Sequence, residues 1–570
     1  MSNASTASDV TADALKTGVL PIDKPILAEH ADAIGWSTEC DVLVVGFGAA
    51  GASAALEASQ HGARVCITDR FDGGGASAKS GGVVYAGGGT AYQKRAGFND
   101  TAEAMHEYLG HEVGDAVSES TLRDFCAQSN AMLAWLESLG IEFDSTVPPK
   151  KTSYPPDGFY LYFSGNEAVP QFAGQYPPAP RGHRVKGAGL SGSVMFKAMR
   201  TAVAAAGVTV MTQSAVRRLV VDSSGAVLGA EVWQIPGDTK DARRHRRLSR
   251  LADRLNYGAA RISDLVRRRA LAIELSSARP VLVRARGGVV LSTGGFIFNR
   301  AMVARHAPGY LRNFRLGTSG CDGSGIRLGQ SAGGDAAHLE RISAWRFINP
   351  PIAWARGMVI DPQGRRFCNE EVYGALLGHE MCEHHGGKAW LVIDSRLRGE
   401  AIREALFGGL WTFQSIPAIV LTLAAKRGRT IEQLAHKIGA DPSLMRQTWD
   451  AYNSGARGGD DAMGKSPAMR QLIDAPPFYA LDVSVGSPVF PCPAITLGGL
   501  RVDEQTGAVK QANGACVPGL YAAGRAAVGI ASNHYVSGLA LADCIWSGRR
   551  AGRSASKATT DTSSQVRATA

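Results

Sequence analysis

Four apolar residues in a row, Val42 to Val45 behind Asp41, form the first strong element of the chain. A short continuous run without polar alternation is the pattern of a strand buried on both faces. Gly46-Phe-Gly48-Ala-Ala-Gly51 follows at once. An alanine-rich stretch from Ala50 to His61 then predicts a helix, and a second apolar run from Arg64 to Thr68 predicts a strand ending at Asp69. The same periodicities predict a helix over 194–205, a strand over 208–211, a hairpin through Leu219, Val220 and Val232, and a buried strand in Gly288-Val-Val-Leu-Ser-Thr-Gly294-Gly295. Asp322-Gly-Ser-Gly325 opens a helix. Near the end, Gly519-Leu-Tyr-Ala-Ala-Gly524-Arg525 precedes a last helix over 537–548. A strand–helix unit that starts near 38 and resumes near 486 predicts an α/β fold. Its first domain, 38–337 and 486–553, is interrupted by an inserted α+β domain, 338–485. Residues 1–37 read as a flexible leader and 554–570 as a flexible tail.

Composition removes several classes. The 570 residues are 45% hydrophobic and 20% charged, a globular balance, and the 68 Gly and 25 Pro show no Gly-X-Y period. No apolar run reaches the roughly 18 residues of a membrane span; the longest, Ile416 to Ala425, carries Pro417. Met1 to Trp36 lacks the pattern of a secretory signal. Nine cysteines without a Cys-x-x-Cys pair argue against a disulfide scaffold, a zinc site and an attached haem, and fit a reducing, cytoplasmic setting. His379-Glu380-Met-Cys-Glu383-His384 brushes the zinc-protease pattern, but Glu383 stands where a histidine is needed, so no metal site is expected.

Charge is uneven. Lys240 to Arg269 holds eleven Lys or Arg and three Asp, so +8 of the net +10 sits in one segment. Leu248, Leu251, Leu255, Ile262 and Leu265 recur there at helical spacing among the arginines, which predicts a basic amphipathic helical insertion near 238–280. Two readings compete: peripheral contact with an anionic membrane face through 240–269, and a solvated insertion packed on its own protein. Nucleic-acid binding is disfavoured, because only Tyr257 is available for base stacking.

The glycine turn carries specific chemistry. Gly46 permits the tight turn, Gly48 lets the backbone approach a pyrophosphate, and Gly51 lets the helix sit close to the strand. Ala49 and Ala50 open the helix whose N-terminus faces the phosphates. Asp69, with Arg70 beside it, lies where a carboxylate accepts from ribose hydroxyls. Together these form a Rossmann-like dinucleotide site, which by itself separates neither NAD from FAD. Ser77, Ser80, Gly81 and Gly82 add hydroxyls and N–H groups just after the second strand.

Taken together, Gly46-x-Gly-x-x-Gly51 with Asp69, Ser80-Gly-Gly82, Thr293-Gly-Gly295, Asp322-Gly, Leu497-Gly-Gly499 and Tyr521-Ala-Ala-Gly524 resemble the fumarate reductase/succinate dehydrogenase flavoprotein superfamily. The resemblance spans about 38 to 553 outside the insertion. It implies FAD held by those residues together with Gly294, Arg525, Gly538 and Leu539, and a substrate clamped against the flavin by the inserted domain, 338–485, as a capping domain. Dicarboxylate members carry an arginine where this chain has Tyr535, in Asn533-His-Tyr-Val-Ser537-Gly538. Nor is there a histidine within 77–82 for covalent attachment. The expectation is non-covalent FAD and a neutral substrate. Tyr-x-Ser-Gly there is similar to the 3-ketosteroid dehydrogenase branch, above all its Δ4-(5α) members. Phe367 to Gly374 with Tyr373, Ala179-Pro-Arg-Gly-His183 and Ala-Ala-Gly-Arg525 are similar as well. A Δ1-dehydrogenase, or another flavin ene-reductase on a bulky neutral ketone, is the alternative.

On this reading the chain desaturates C4–C5 of a 3-oxo-5α-steroid. Tyr535 and the Gly538 N–H hold the ketone oxygen, and Ser537 with Tyr373 relays the α-proton. Each has an ordinary structural counterpart: Tyr535 and Tyr373 as packing, Ser537 as a helix cap. Phe159, Tyr160, Tyr162, Phe163 and Tyr176 are equally a pocket wall or a loop packed on its own domain. With no haem or iron–sulfur motif, electrons leave to an external acceptor.

Overall fold

The computed structural model describes residues 12–568. Its centre is a nine-stranded sheet. The strands are β1 (Ile26–Ala28), β2 (Thr38–Val45), β3 (Val65–Thr68), β4 (Thr209–Met211), β5 (Ser214–Asp222), β6 (Val227–Gln234) and β7 (Arg279–Leu291), with two more near the C-terminus. β2 is fully buried from Val42 to Val44 and pairs in parallel with β3 and β7, as a run without alternation requires. Between β2 and β3 lies α1 (Ala49–Gln60), and α2 (Gly192–Ala205) packs beside it. β7 does two jobs. From Arg279 to Arg284 it pairs antiparallel with β6, and from Val283 to Leu291 it pairs in parallel with β2, through a bulge between Ala285 and Gly288.

The basic segment is two helices, α3 (Lys240–Leu255) and α4 (Ala260–Ser277), broken at Asn256-Tyr-Gly258. Leu248 packs against Ile235, Ala242 and Ile273, but the face turned to the protein is not the leucine stripe as a whole. In α3 it is Ala242, His245, Ser249 and Ala252, because His245 bonds both Gln213 and Glu274, while Leu251, Ile262 and Leu265 stay 44–55% exposed.

After α5 (Ser324–Ser331), Ile342–Ala344 pairs antiparallel with Pro493–Thr496, so the chain leaves and re-enters the first layer side by side. Between these crossing strands stands a four-stranded antiparallel sheet, β8 (Met358–Ile360), β9 (Trp390–Ile393), β10 (Lys426–Gly428) and β11 (Phe478–Asp482), in the order β8-β9-β11-β10. Helices α6 (Gly374–His384) and α7 (Thr412–Leu423) belong to this region. β12 (Ala508–Lys510) and β13 (Cys516–Ala522) complete the central sheet, and α8 (Leu539–Ala568) closes the fold against α1.

Both chain ends differ from expectation. Within the leader, β1 pairs with β5, Leu20 and Ala14 are buried with Ala215 and Leu271, and the Leu20 N–H donates to Asp322 at 3.0 Å. Residues 1–11 lie outside the described residues. Within the tail, α8 runs on to Ala568. Ahead of the tail, a Cβ on Gly548 or Gly552 would lie 2.4 or 2.2 Å from the Ala50 or Ala54 carbonyl oxygen, so α8 and α1 meet backbone to backbone.

Candidate functional site

One cavity of about 1210 Å³ runs from the turn after β2 to the face of the capping sheet region. Gly46 sits at φ +106°, and a Cβ there would lie 2.7 Å from the Ser292 carbonyl oxygen. A Cβ on Gly51 would come within 1.9 Å of the Gly46 carbonyl oxygen, so Gly51 sets the helix against the turn and is not on the cavity wall. The wall here is Gly46, Gly48, Ala49, Ala50 and Asp69. Asp69 accepts from the N–H groups of Phe47, Phe71 and Gly73 at 2.8–3.2 Å. Its carboxylate fixes the turn and keeps one lone-pair direction for a ribose. Burial pushes its pKa up against those three hydrogen bonds.

Neighbouring residues divide between wall and support. Ser77 Oγ accepts from the Ala49 N–H at 3.1 Å, and Ser80 Oγ donates to the Ser77 carbonyl at 2.7 Å and accepts from Gly82 N at 3.2 Å. Ser77, Ser80 and Gly81 line the cavity. Gly82 lies behind, where a Cβ would press on the Ser191 backbone at 2.6 Å. Thr293 and Gly294 line it as well, Thr293 Oγ1 accepting from the Gly325 N–H at 2.9 Å. Arg70 reaches the wall with its guanidinium held at 2.8 Å by both Glu274 and Asp322. Asp322 itself is fully buried off the wall, spent on Arg70, the Leu20 N–H and the Ser324 N–H. The structure thus places Asp322 off the cavity, where the resemblance had implied a cofactor contact. Gly524 and Leu539 also stand behind the wall, Gly524 at φ +58° against Ala50.

These residues fit FAD. The glycine cradle has no room for a Cβ at Gly46. Arg525 lines the cavity beside Gly294, with Nη1 buried and without a hydrogen-bond partner and Nη2 3.7 Å from Cys321 Sγ. A buried guanidinium atom without a partner, on a residue that lines the cavity, fits a ligand acceptor nearby.

At the other end the wall turns apolar and aromatic. Tyr535 packs against Trp345 with ring centroids 4.4 Å apart and stacks toward Tyr373 at 6.4 Å, and Phe347 meets Tyr373 edge-on at 5.2 Å. Trp354, Phe490, Phe413, Ile416 and Pro417 extend this surface. Tyr373 ends the loop before α6, and Ser537 and Gly538 precede α8, so the capping region and the first layer each supply one side. Ser537 is 8% exposed, and its hydroxyl interacts with Tyr535 and Tyr373 and lies 3.1 Å from the Tyr162 hydroxyl. Gly538 at φ +91° leaves no room for a Cβ, which would lie 2.8 Å from Tyr85 N. Burial pushes the Tyr535, Tyr373 and Tyr162 phenols up, so all three are neutral donors at ordinary pH.

Sequence reasoning left Tyr162 among undecided aromatics and did not find Trp345, Phe347 or Phe413. Phe159, Tyr160, Tyr162, Phe163 and Tyr176 are all off the cavity wall, Tyr162 reaching the site only through Ser537. The Ala179–His183 stretch lies behind the site, Arg181 paired with Asp100 at 2.7 Å in full burial.

Comparison with known proteins agrees with this geometry. The family model described as FAD binding domain matches residues 41–538. The chain is 45% identical over 517 residues to a 3-oxo-5-alpha-steroid 4-dehydrogenase of Comamonas testosteroni, covering 88% of this chain and 96% of that one. A solved structure of 3-ketosteroid-delta4-(5alpha)-dehydrogenase from Rhodococcus jostii RHA1, in complex with 4-androstene-3,17-dione, is 29% identical and superposes with a TM-score of 0.78 over 94% of this chain and all of that one. A fumarate reductase (cytochrome) of Shewanella frigidimarina is 23% identical over 91% of this chain and 77% of its own length. The chain belongs to the FAD-binding-domain family of flavoproteins, as an FAD-dependent oxidoreductase of the branch that contains the 3-ketosteroid dehydrogenases.

Proposed function

We propose that this protein is a 3-oxo-5α-steroid 4-dehydrogenase. The observation that carries the reading is the neutral Tyr535–Ser537 pair set in an aromatic wall, where a carboxylate substrate would require a cation. It is supported by the activity named for the Comamonas relative and by the 3-ketosteroid bound in the Rhodococcus structure. FAD, when bound, accepts a hydride at N5; with no histidine in 77–82 it is held non-covalently. The FAD-binding unit is 38–337 with 486–553, and 338–485 is the cap.

The residues do the rest. Tyr535 O–H and the Gly538 N–H hold the C3 ketone oxygen, which acidifies the C4 protons. The C4 proton goes to Ser537 Oγ as the hydroxyl proton of Ser537 moves to a neighbouring phenol oxygen, and that phenol passes its own proton to water on the far side of the relay. The C5 hydride carries away the electron pair, and the 4-ene-3-ketone remains. Because burial keeps all three phenols protonated, the relay passes a proton through neutral hydroxyls and does not start from a resting tyrosinate. The aromatic walls exclude water from the developing enolate. Electrons then pass to a separate acceptor, and the exposed side of α3 and α4 rests against an anionic membrane.

Anaerobic titration tests the reading. A 5α-3-ketosteroid is expected to bleach the flavin, while a 4-ene-3-ketosteroid and succinate leave it yellow. Bleaching by the 4-ene compound would move the double bond to C1–C2, and bleaching by succinate would overturn the argument from Tyr535.

A further inference from the structure

Helix α3 begins just beyond β6, whose last residue Gln234 pairs with Ser214 on the cavity wall. From there it runs along the cavity that the glycine turn opens, and it is tied to two of the segments that line it, the one after β3 and the one around Ser319. Arg246 and Arg250 pair with Asp72, after β3, at 3.0 and 2.8 Å. Asp253 pairs with Lys79 and accepts from the Ser319 N–H and hydroxyl at 3.1 and 2.9 Å. Its root is fixed as well: buried His245 bonds Glu274, which in turn holds Arg70 beside Asp69.

Arg250 and Arg254 of the helix, with Tyr257 of the break that follows it, are on the cavity wall. Asp72 answers the charge of Arg250. Arg254 has no ion pair or hydrogen bond among the described residues, although it lines a cavity whose glycine turn is shaped for a diphosphate. We propose that α3 is a strap across the adenosine-diphosphate half of FAD, and that Arg254 supplies a cation to the diphosphate. This rests on the FAD reading of the cavity. It gives part of the +8 segment a task in retaining a cofactor that has no covalent bond to the chain.

The test uses apoprotein prepared by removing the flavin from the full chain, titrated calorimetrically with FAD, with ADP and with riboflavin. Arg254→Gln is expected to weaken FAD and ADP about tenfold, the scale of one charge-assisted hydrogen bond, and to leave riboflavin unchanged. Arg244→Gln removes the same charge from the exposed side of α3 and is expected to bind ADP as the wild type does. Arg254→Gln apoprotein that holds ADP within twofold of wild type would overturn the strap. So would equal weakening by both variants, which reports only the general field. Wild-type apoprotein that binds neither FAD nor ADP would overturn the FAD reading itself.

Discussion

Tyr535 is the residue on which substrate class turns. A phenol donates one hydrogen bond and carries no charge, so it polarises a ketone but does not neutralise a carboxylate. Its ring is held by Trp345 and Tyr373, which removes the rotational freedom that would blunt such a donor. Tyr535→Phe keeps the packing and loses the O–H; stopped-flow reduction is expected to slow by about 10²–10³ with FAD content unchanged. An unaltered rate would take the ketone oxygen away from this residue. The same burial fixes a pH expectation. A phenol whose pKa is raised ionises above the ordinary value of about 10, so kcat/KM should show no tyrosine-linked limb between pH 7 and 10. Tyr162→Phe, which deletes the third hydroxyl on Ser537, is expected to slow reduction less than Ser537→Ala; the reverse order would make Tyr162 the principal proton partner.

At the scale of elements, the short strands behind Ser537 are held by a histidine that must stay neutral. His183 lies in the strand Gly182–Arg184, which pairs with both Val83–Tyr85 and Leu161–Tyr162. Its Nδ1 faces the Arg181 carbonyl at 3.1 Å and its Nε2 the Thr90 hydroxyl at 3.0 Å. The Arg181 carbonyl can only accept, so Nδ1 carries the proton, and in the neutral ring Nε2 accepts from the Thr90 O–H. Burial depresses the pKa of His183 from 6.5 to about 4. Between those values the unfolded chain binds the extra proton and the fold does not. Stability is thus fully present above pH 6.5 and falls as pH drops to 4, by up to about 3 kcal/mol. Denaturant unfolding at pH 7 and at pH 4.5 should show this loss, and His183→Gln should flatten it whatever its own baseline. A slope identical in the two proteins would place the acid lability elsewhere.

Elements also differ in how far the chain itself reveals them. The glycine turn was readable because strand, turn, helix and acid lie within thirty residues and each step has a steric reason, as the missing space at Gly46 and Gly51 shows. The capping sheet was not, since its strands are three to five residues long and pair across distant segments. The leucine stripe of the insertion misled about which side faces inward. A hydrophobic period reports that a helix has an apolar side, not that the side is covered, and here His245 and Ser249 took the inner position through hydrogen bonds. Asp322 sat in the right motif but was drawn away from the cavity by Arg70 and the leader, a contact across more than 250 residues that no local spacing encodes.

Across the whole molecule, the exposed side of the insertion and the rim of the cavity make one further argument. No helix among the described residues is long and apolar enough to cross a membrane. Yet Leu251, Ile262 and Leu265 are exposed among Arg243, Arg244, Arg247, Arg268 and Arg269. On the capping side Ile416 and Phe413 are on the cavity wall and more than half exposed, and Phe407 is 82% exposed. Exposed apolar side chains among these arginines match an anionic bilayer surface, where each basic residue adds about 1 kcal/mol. A steroid dissolved in that bilayer would then enter the aromatic end of the cavity with little passage through water. Replacing Arg244, Arg247 and Arg268 together by Glu touches neither the wall nor Arg254, so FAD content should hold. Co-sedimentation with vesicles containing anionic lipid should fall about a hundredfold, while binding to neutral vesicles, weak from the outset, changes little. Salt should reproduce the loss in the wild type, because the attraction reaches only about a Debye length. If the triple variant sediments as the wild type does, the arginines serve solubility and the strap alone, and substrate arrives from solution.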